Sequence, residues 1–160
     1  MRGPHLHYFA FGSNMNPQRV RSRGLVFDHL QGARLPGYRL VFDKAAPEHP
    51  GSGHANIAWA RGHTVEGVLY RLAGEREIEK MDPFERAPIN YSRELVLVET
   101  ASATLAAWTY VANAAVRRAN GRPEQAYLAH LLAGREWLSA AYHARLVAWP
   151  LADGPAAADD

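Results

Sequence analysis

Apolar positions cluster in short runs along the first half of the chain, and these runs predict β-strands. Residues 6–11 are almost entirely aromatic or aliphatic, which is typical of a strand buried on both faces. Further strand-like runs follow at 32–35, 38–43, 55–61 and 65–72. Pro36-Gly37, the loop 47–53 and Gly62-His63 separate them, because proline and glycine interrupt regular pairing. The first half is therefore predicted to be rich in β-structure.

Two short helical segments are predicted in the same half. Asn16-Pro17 combine a good N-cap with a residue suited to the first helical position, so residues 16–23 are expected to form a helix that ends at Gly24. Residues 73–81 fit one or two further helical turns. We expect Asp82-Pro83 to stop this second helix, because the residue before a proline avoids helical backbone angles.

The second half begins with a predicted hairpin and ends in two helices. Residues 91–100 and 104–112 alternate in the manner of paired strands and are rich in β-branched or aromatic residues. Helices are expected at 123–132, with Gly134 as a candidate cap, and at 139–149. Because strands outnumber helices and hairpin spacings dominate, we predict an α+β fold in which a mixed or antiparallel sheet curls toward a small barrel with flanking helices.

Length and composition fit a single domain. The chain has 160 residues, of which 48% are hydrophobic, enough to fill one core. We expect this domain to span residues 1–150. Residues 151–160 consist mainly of Ala, Asp, Gly and Pro, and we expect them to form a disordered tail.

The charge balance and the lack of cysteine exclude several kinds of function. Lys and Arg number 18 against 16 Asp and Glu, a net charge of +2, so we expect no nucleic-acid partner. The absence of cysteine excludes disulfides, thiolate nucleophiles and cysteine-ligated zinc. No apolar run reaches the roughly 20 residues that a membrane helix needs, and residues 1–5 lack a signal-peptide core. We therefore expect no membrane partner and a cytoplasmic location.

The loop after the first predicted strand is the clearest candidate for ligand binding. The apolar run breaks into Gly12, Ser13, Asn14 and Met15, directly before the helix start at Asn16. Because Gly12 has no Cβ, the backbone amides of this loop can approach a ligand closely and point at an anion. A tight strand-to-helix turn without a ligand would show the same residue pattern.

Four segments of the sequence resemble, in order, the γ-glutamylcyclotransferase-like (AIG2-like) family. They are FAFGSNM at 9–15, ARLPGYRLVF at 33–42, VEGVLY at 65–70 and MDPFE at 81–85, and the resemblance runs from Tyr8 to about Tyr127. It implies a small mixed β-barrel with flanking helices. It also implies that five loop residues contact the substrate, namely Phe11, Gly12, Ser13, Asn14 and Met15. Phe11 and Met15 stand where the family usually has Tyr and Leu.

Glu85 is the strongest candidate for chemistry. Its neighbours Phe84 and Ala87-Pro88-Ile89 are apolar, and partial desolvation would raise the pKa of the carboxylate toward neutrality. On position alone, a glutamate beside Arg86 is more often a solvated residue, and the predicted helix end at Asp82-Pro83 puts Glu85 on a loop. The resemblance implies that Glu85 is the catalytic glutamate of the family, while Arg86 stands where the family often has glycine.

The resemblance also implies a reaction. The partner would be a small-molecule γ-glutamyl amide or amine whose own α-amine attacks its γ-carbonyl, giving 5-oxoproline and a free amine. Glu85 would move the protons as general acid and base. The reaction requires no metal and no organic cofactor.

Two tyrosines are further candidates for substrate contact. Tyr91 begins a predicted strand shortly after Glu85, and Tyr127 lies on the helix where the family has a substrate-contacting tyrosine. A tyrosine with its ring in the core and its hydroxyl at the surface would also fit either position.

The remaining polar residues are interpreted as solvated. The sequence has 8 histidines but no His-x-x-x-His or His-Glu-x-x-His spacing. We therefore expect solvated loop residues, not metal ligands, at His49, His54 and His63. The first predicted helix carries three alternating arginines, which are also interpreted as solvated: Arg19, Arg21 and Arg23.

Two alternatives to cyclisation remain. The first is a non-catalytic module that binds a small anion, a carboxylate or a phosphate. Phe11 and Arg86 favour it, because both depart from the residues that the family usually has. The second is hydrolysis of the same amide by water, which would give glutamate instead of 5-oxoproline.

Overall fold

The structure is a computed structural model that describes residues 6–152. The first five residues and most of the predicted tail, residues 153–160, lie outside the described residues. Leu151 still packs against the hydrophobic core, and the Ala152 amide donates a hydrogen bond of 2.9 Å to the carbonyl of Pro123. The ordered fold therefore continues two residues beyond Pro150.

Five strands form a closed barrel in the order β1-β3-β2-β4-β5. β1 is antiparallel to β3 and closes the barrel by a parallel contact between Tyr8 and Trp108 of β5. The other neighbours are antiparallel. The strands are β1 His7–Ala10, β2 Phe27–Ala45, β3 Gly53–Leu72, β4 Tyr91–Glu99 and β5 Thr104–Ala112. The predicted small mixed barrel with flanking helices is thus confirmed.

The four strands predicted between residues 32 and 72 merge into two long ones. β2 has 19 residues and β3 has 20, and they pair along most of their length. The register shifts beside Pro36, and Gly37 and Gly62 have φ values of 85° and 82°. Glycine adopts such angles at little cost. Pro36-Gly37 and Gly62-His63 therefore bend the paired strands β2 and β3 without ending them.

Four α-helices flank the barrel: α1 Pro17–Ser22, α2 Asp82–Glu85, α3 Gln125–Leu132 and α4 Ala140–Val147. The predicted start of α1 is confirmed, because the Asn16 side chain accepts a hydrogen bond of 3.1 Å from the Gln18 amide. Short 3₁₀ turns lie at Ser13–Met15, Glu77–Lys80, Ala114–Val116 and Arg135–Trp137. No helix within residues 6–152 combines the length and hydrophobicity needed to cross a membrane.

The prediction that Asp82-Pro83 stops a helix is wrong. Residues 73–81 contain only the 3₁₀ turn Glu77–Lys80, and Pro83 lies in the first turn of α2. Proline is tolerated there because the first amides of a helix have no partner within the helix. Glu85 is consequently the last residue of α2 and does not lie on a loop.

Gly134 allows α3 to pack closely against the Ser13–Met15 turn and is not the cap of the helix. Ala133 is the C-cap of α3, and Gly134 has a φ of −85°. A Cβ on Gly134 would lie 3.0 Å from the Cβ of Met15. The glycine is therefore required for close packing, which holds α3 against the loop that follows β1.

Asn56, on β3, links strands β2 and β5 through hydrogen bonds inside the barrel. Its side chain is fully buried; Nδ2 donates to Oδ1 of Asp43 at 2.9 Å, and Oδ1 accepts from the Ala112 amide at 2.9 Å. Buried polar groups are costly unless both donors and acceptors are satisfied. This one side chain satisfies groups on two other strands.

We expect Asn56→Ala to lower the free energy of unfolding by about 1–3 kcal/mol, because it leaves the buried Ala112 amide without an acceptor. Urea denaturation at neutral pH measures the loss. Gln18→Ala, which removes an exposed amide side chain from α1, is the control and should change stability by less than about 0.5 kcal/mol. Equal losses in the two variants would contradict the structural role of Asn56.

Candidate active site

A cavity of about 270 Å³ lies where β1 ends, between the Ser13–Met15 turn, α2 and α3. It is lined by most of the residues that the sequence singles out: Phe11, Gly12, Ser13, Asn14, Glu85, Tyr91 and Tyr127. These residues come from four separate parts of the chain. The fold therefore brings the predicted site residues together around one space.

Met15 is the predicted site residue that does not line the cavity. Its side chain is fully buried, and its amide donates to the Gly12 carbonyl at 2.9 Å, which closes the 3₁₀ turn. That amide is not available to a ligand. Met15 instead packs beneath the loop against Gly134 and supports it.

Gly12 is required because two groups approach its backbone closely. A Cβ at this position would lie 3.0 Å from the Cβ of Ala55 and 3.2 Å from the hydroxyl of Tyr127. The loop is further fixed by Tyr70, whose hydroxyl donates to the Asn14 carbonyl at 2.7 Å. Phe11 contributes an apolar wall beside Phe9, with ring centroids 6.5 Å apart.

Glu85 is the carboxylate that faces this cavity. Its side chain is 18% exposed, and Oε1 lies 3.3 Å from Nδ2 of Asn14 and 4.0 Å from Nη1 of Arg23. Burial raises the pKa of Glu85, and the charges of Arg23, Arg19 and Lys44 oppose the shift without cancelling it. A carboxylate with a raised pKa is suited to proton transfer near neutral pH.

Asn14 holds Glu85 through a hydrogen-bond network that fixes its own orientation. Its Oδ1 accepts from Nη1 of Arg23 at 3.1 Å, while its Nδ2 donates to the hydroxyl of Tyr8 at 2.9 Å and faces Glu85. Because the arginine can only donate, the amide oxygen must face it and the amide nitrogen must face the carboxylate.

Asp82, the first residue of α2, carries a second carboxylate, which already has partners within the protein. It accepts a hydrogen bond of 2.6 Å from the hydroxyl of Tyr110, and Nε of Arg93 lies 3.7 Å from the same oxygen. Asp82 does not line the cavity, whereas Tyr110 does. Among the described residues around this space, Glu85 is thus the one carboxylate.

Tyr91 and Tyr127 both bind the backbone of Ala55. The Tyr91 hydroxyl donates to the Ala55 carbonyl, and the Ala55 amide donates to the Tyr127 hydroxyl, each at 2.9 Å. Burial raises the pKa of Tyr127 to about 12, so this hydroxyl stays protonated at neutral pH. Since the Tyr127 oxygen accepts from Ala55, its proton can be donated to a ligand.

Four cationic side chains line the cavity: Arg19, Arg23, Lys44 and Arg86. The interpretation of Arg19 and Arg23 as solvated is wrong, because their i, i+4 spacing puts both on the face of α1 that meets the cavity. Arg21 lies elsewhere, with its guanidinium 4.7 Å from the ring centroid of Phe27. The i, i+4 spacing directly after the loop is the signal by which the sequence marks this pair.

Arg86 has left-handed backbone angles, φ 50° and ψ 45°, at the end of α2. Glycine adopts these angles without the steric cost that a Cβ brings. In this chain the position instead carries a guanidinium into the cavity wall.

His54 is not the solvated loop residue expected from the sequence. It lies in β3 opposite Lys44, and its ring stacks on Tyr127 with centroids 4.6 Å apart. Burial, together with the charges of Lys44 and Arg19, lowers the pKa of His54 to about 4, so the ring is neutral. Across residues 6–152, no three His, Asp or Glu side chains are grouped so as to hold a metal ion.

Several solved structures share this fold. The human protein described as uncharacterized protein loc79017 has a TM-score of 0.81 at 22% identity, over 97% of this chain and 94% of its own. A γ-glutamyl cyclotransferase has a TM-score of 0.78 at 20% identity, over 97% and 92%. YkqA from Bacillus subtilis has a TM-score of 0.79 at 24% identity, over 94% of this chain and 56% of its own. At these identities the likeness concerns the fold alone.

No curated protein matches the sequence. The family described as γ-glutamyl cyclotransferase, AIG2-like, matches residues 8–139. This range begins in β1 and extends beyond α3, so it includes every element that contributes to the cavity. The chain therefore belongs to the AIG2-like γ-glutamyl cyclotransferase family.

Proposed function

We propose that the protein is a γ-glutamyl cyclotransferase that converts a γ-glutamyl amide or amine to 5-oxoproline and a free amine. The observation that carries this proposal is the buried carboxylate of Glu85, with its raised pKa, facing the Gly12–Asn14 part of the loop across a small cavity. Family membership supports the same reaction class. A cytoplasmic location remains a prediction from the sequence.

In this mechanism the substrate supplies both reacting groups. Glu85 removes a proton from the α-ammonium, and the free amine attacks the γ-carbonyl to close a five-membered ring. The C–N bond to the leaving amine then breaks, and Glu85 returns its proton to that nitrogen. Glu85 next takes the second proton, which the ring nitrogen still carries, and passes it to the released amine or to water, so that 5-oxoproline forms as a neutral lactam and Glu85 is again ionised. Holding the substrate folded makes the attack intramolecular, which can contribute a large part of the rate acceleration.

The cationic and polar walls are assigned to the substrate's oxygens. We assign Arg19 and the loop amide of Gly12 to the α-carboxylate of the γ-glutamyl group. Nε of Arg19 is buried without a partner among the described residues, which leaves it available to an anion. The proton of the Tyr127 hydroxyl is assigned to the oxyanion that develops on the γ-carbonyl.

The test of the proposed function is a panel of γ-glutamyl amino acids, γ-glutamyl amines and glutathione, with 5-oxoproline and glutamate measured by mass spectrometry. Release of 5-oxoproline supports cyclisation, and release of glutamate would establish hydrolysis instead. If neither product forms and 5-oxoproline still raises the melting temperature, the protein is a small-anion binding module.

Glu85→Gln should lower kcat by about two to four orders of magnitude, because the amide keeps the shape of the side chain but cannot accept the α-ammonium proton. The affinity for 5-oxoproline, measured by calorimetry, should change much less. Glu85→Asp, which withdraws the carboxylate by one methylene, should be intermediate. If Glu85→Gln kept most of its activity, another group would be the base.

The same substitution should raise the melting temperature at pH 7.5. Because the folded-state pKa of Glu85 is raised, ionisation of Glu85 destabilises the fold, and this penalty grows as pH rises above 4.5, the ordinary pKa of a glutamate side chain. The advantage of Glu85→Gln over the wild type should therefore shrink toward zero as pH falls to 4.5. Each kcal/mol corresponds to about 2–4 °C for a chain of this size. Calorimetric melting across this pH range checks the sign, and a constant or inverted difference would contradict it.

A further inference from the structure

We propose that His130 on α3 is a positioning residue for Arg19. In this arrangement the His130 ring is neutral, carries its proton on Nδ1 and accepts a hydrogen bond from Arg19 through Nε2, which holds the guanidinium in the wall of the cavity. The inference rests on the proposed function and deepens it, because Arg19 is there assigned to the α-carboxylate of the γ-glutamyl group.

Arg19 has little other support within the protein. Its side chain is half-buried and lines the cavity, and it forms no ion pair with a carboxylate among residues 6–152. Nη1 of Arg19 lies 3.4 Å from Nε2 of His130. An arginine side chain has several rotatable bonds, so a fixed partner behind it lowers the entropic cost of holding it toward a ligand.

The helix α3 places His130 behind Arg19 and outside the cavity. His130 follows Tyr127 by three residues, so the two side chains lie on the same face of α3, one turn apart. Tyr127 lines the cavity, whereas His130 does not. The close approach of Gly134 to Met15 holds this helix against the loop. His130 can therefore act on a ligand only through Arg19.

Both ring nitrogens of His130 face hydrogen-bond donors. The Asn16 side chain uses Oδ1 to accept from the Gln18 amide, so its Nδ2 faces Nδ1 of His130, at 3.1 Å. Nε2 faces the guanidinium of Arg19, which can only donate. Burial and the charges of Arg19 and Arg23 lower the pKa of His130, so the ring is neutral at neutral pH and has one acceptor nitrogen. The ring can accept from only one of these two donors at a time.

Charge decides which nitrogen accepts. The contact with Asn16 is the shorter one, but a hydrogen bond from a charged guanidinium is roughly twice as strong as one between neutral groups. A proton on Nε2 would also point a positive N–H dipole at the guanidinium, whereas a proton on Nδ1 faces only a neutral amide. The geometry therefore favours the tautomer in which Nε2 accepts from Arg19.

The position of the ring proton tests this arrangement without any ligand. Proton–nitrogen correlation NMR of the full chain, prepared with isotope-labelled histidine, shows which nitrogen of each ring is protonated. The signals of His130 are those that disappear in His130→Leu. We expect the proton on Nδ1 in the wild type at pH 7.5. A proton on Nε2 would overturn the proposal, because that nitrogen could not then accept from Arg19.

The second test is the affinity for 5-oxoproline, whose carboxylate corresponds to the one assigned to Arg19. By calorimetry, His130→Leu should bind 5-oxoproline about three- to tenfold more weakly, as for the partial loss of one charge-assisted hydrogen bond. His130→Gln, whose amide oxygen can take the place of Nε2, should retain more of the affinity. His143→Leu is the control and should bind like the wild type, because His143 is a half-buried histidine of α4 that does not line the cavity.

Two comparisons separate positioning from a general effect on the fold. In an Arg19→Met background, His130→Leu should weaken binding no further, and an equal loss with and without Arg19 would overturn the proposal. For a substrate that is cyclised, His130→Leu should raise KM and leave kcat nearly unchanged, because the α-carboxylate takes no part in the bond changes. A lower kcat at unchanged KM would contradict a role through Arg19.

Failure of the positioning role and failure of the proposed function give different results. If no γ-glutamyl compound yields 5-oxoproline, the proposed function is overturned, while the ring proton and the affinity for 5-oxoproline still decide the role of His130. If cyclisation occurs and His130→Leu changes neither KM nor this affinity in a folded protein, the positioning role is overturned and cyclisation stands. If 5-oxoproline does not bind measurably, the ring proton decides alone.

Discussion

The site depends on one electrostatic constraint, the burial of the Glu85 carboxylate beside cations that do not fully compensate for its lost hydration. Burial raises the pKa of Glu85 while Arg23, Arg19 and Lys44 lower it, and burial has the larger effect. A fully compensated ion pair would have a lowered pKa and would be a poor base at neutral pH. The distance of 4.0 Å between Arg23 and Glu85, longer than a direct charged hydrogen bond, is consistent with this incomplete compensation.

The barrel buries this site because strands that are far apart in sequence surround the loop after β1. β3 alone contributes two groups from its opposite ends: Ala55, whose backbone holds the hydroxyls of both site tyrosines, and Tyr70, which binds the Asn14 carbonyl. A strand of 20 residues reaches both sides of the loop because it bends near Gly62. The length of β3 is therefore a requirement of the site as well as of the core.

Features set by local chemistry were predictable from the sequence. The loop at Gly12, the cap at Asn16 and the hairpin from residue 91 to 112 follow from backbone preferences and alternation. The sequence predicts a strand end at Gly62 where the structure has a bend within β3, because a bulge and a turn use the same residues. The inward direction of Lys44 does not follow from the sequence, since it depends on a strand register that only the closed barrel fixes.

The residues proposed for the chemistry and the two cations at the outer edge of the cavity lie on different elements. In the proposed reaction, ring closure uses groups that every γ-glutamyl substrate carries, so the loop and Glu85 would treat all such substrates alike. Discrimination must then arise from contacts with the leaving amine, the part that varies between substrates. Lys44 on β2 and Arg86 after α2 line both the cavity and a neighbouring open groove, apart from the Asn14 amide that orients Glu85. A change of side chain at either position therefore leaves the hydrogen bonds that hold Glu85 in place.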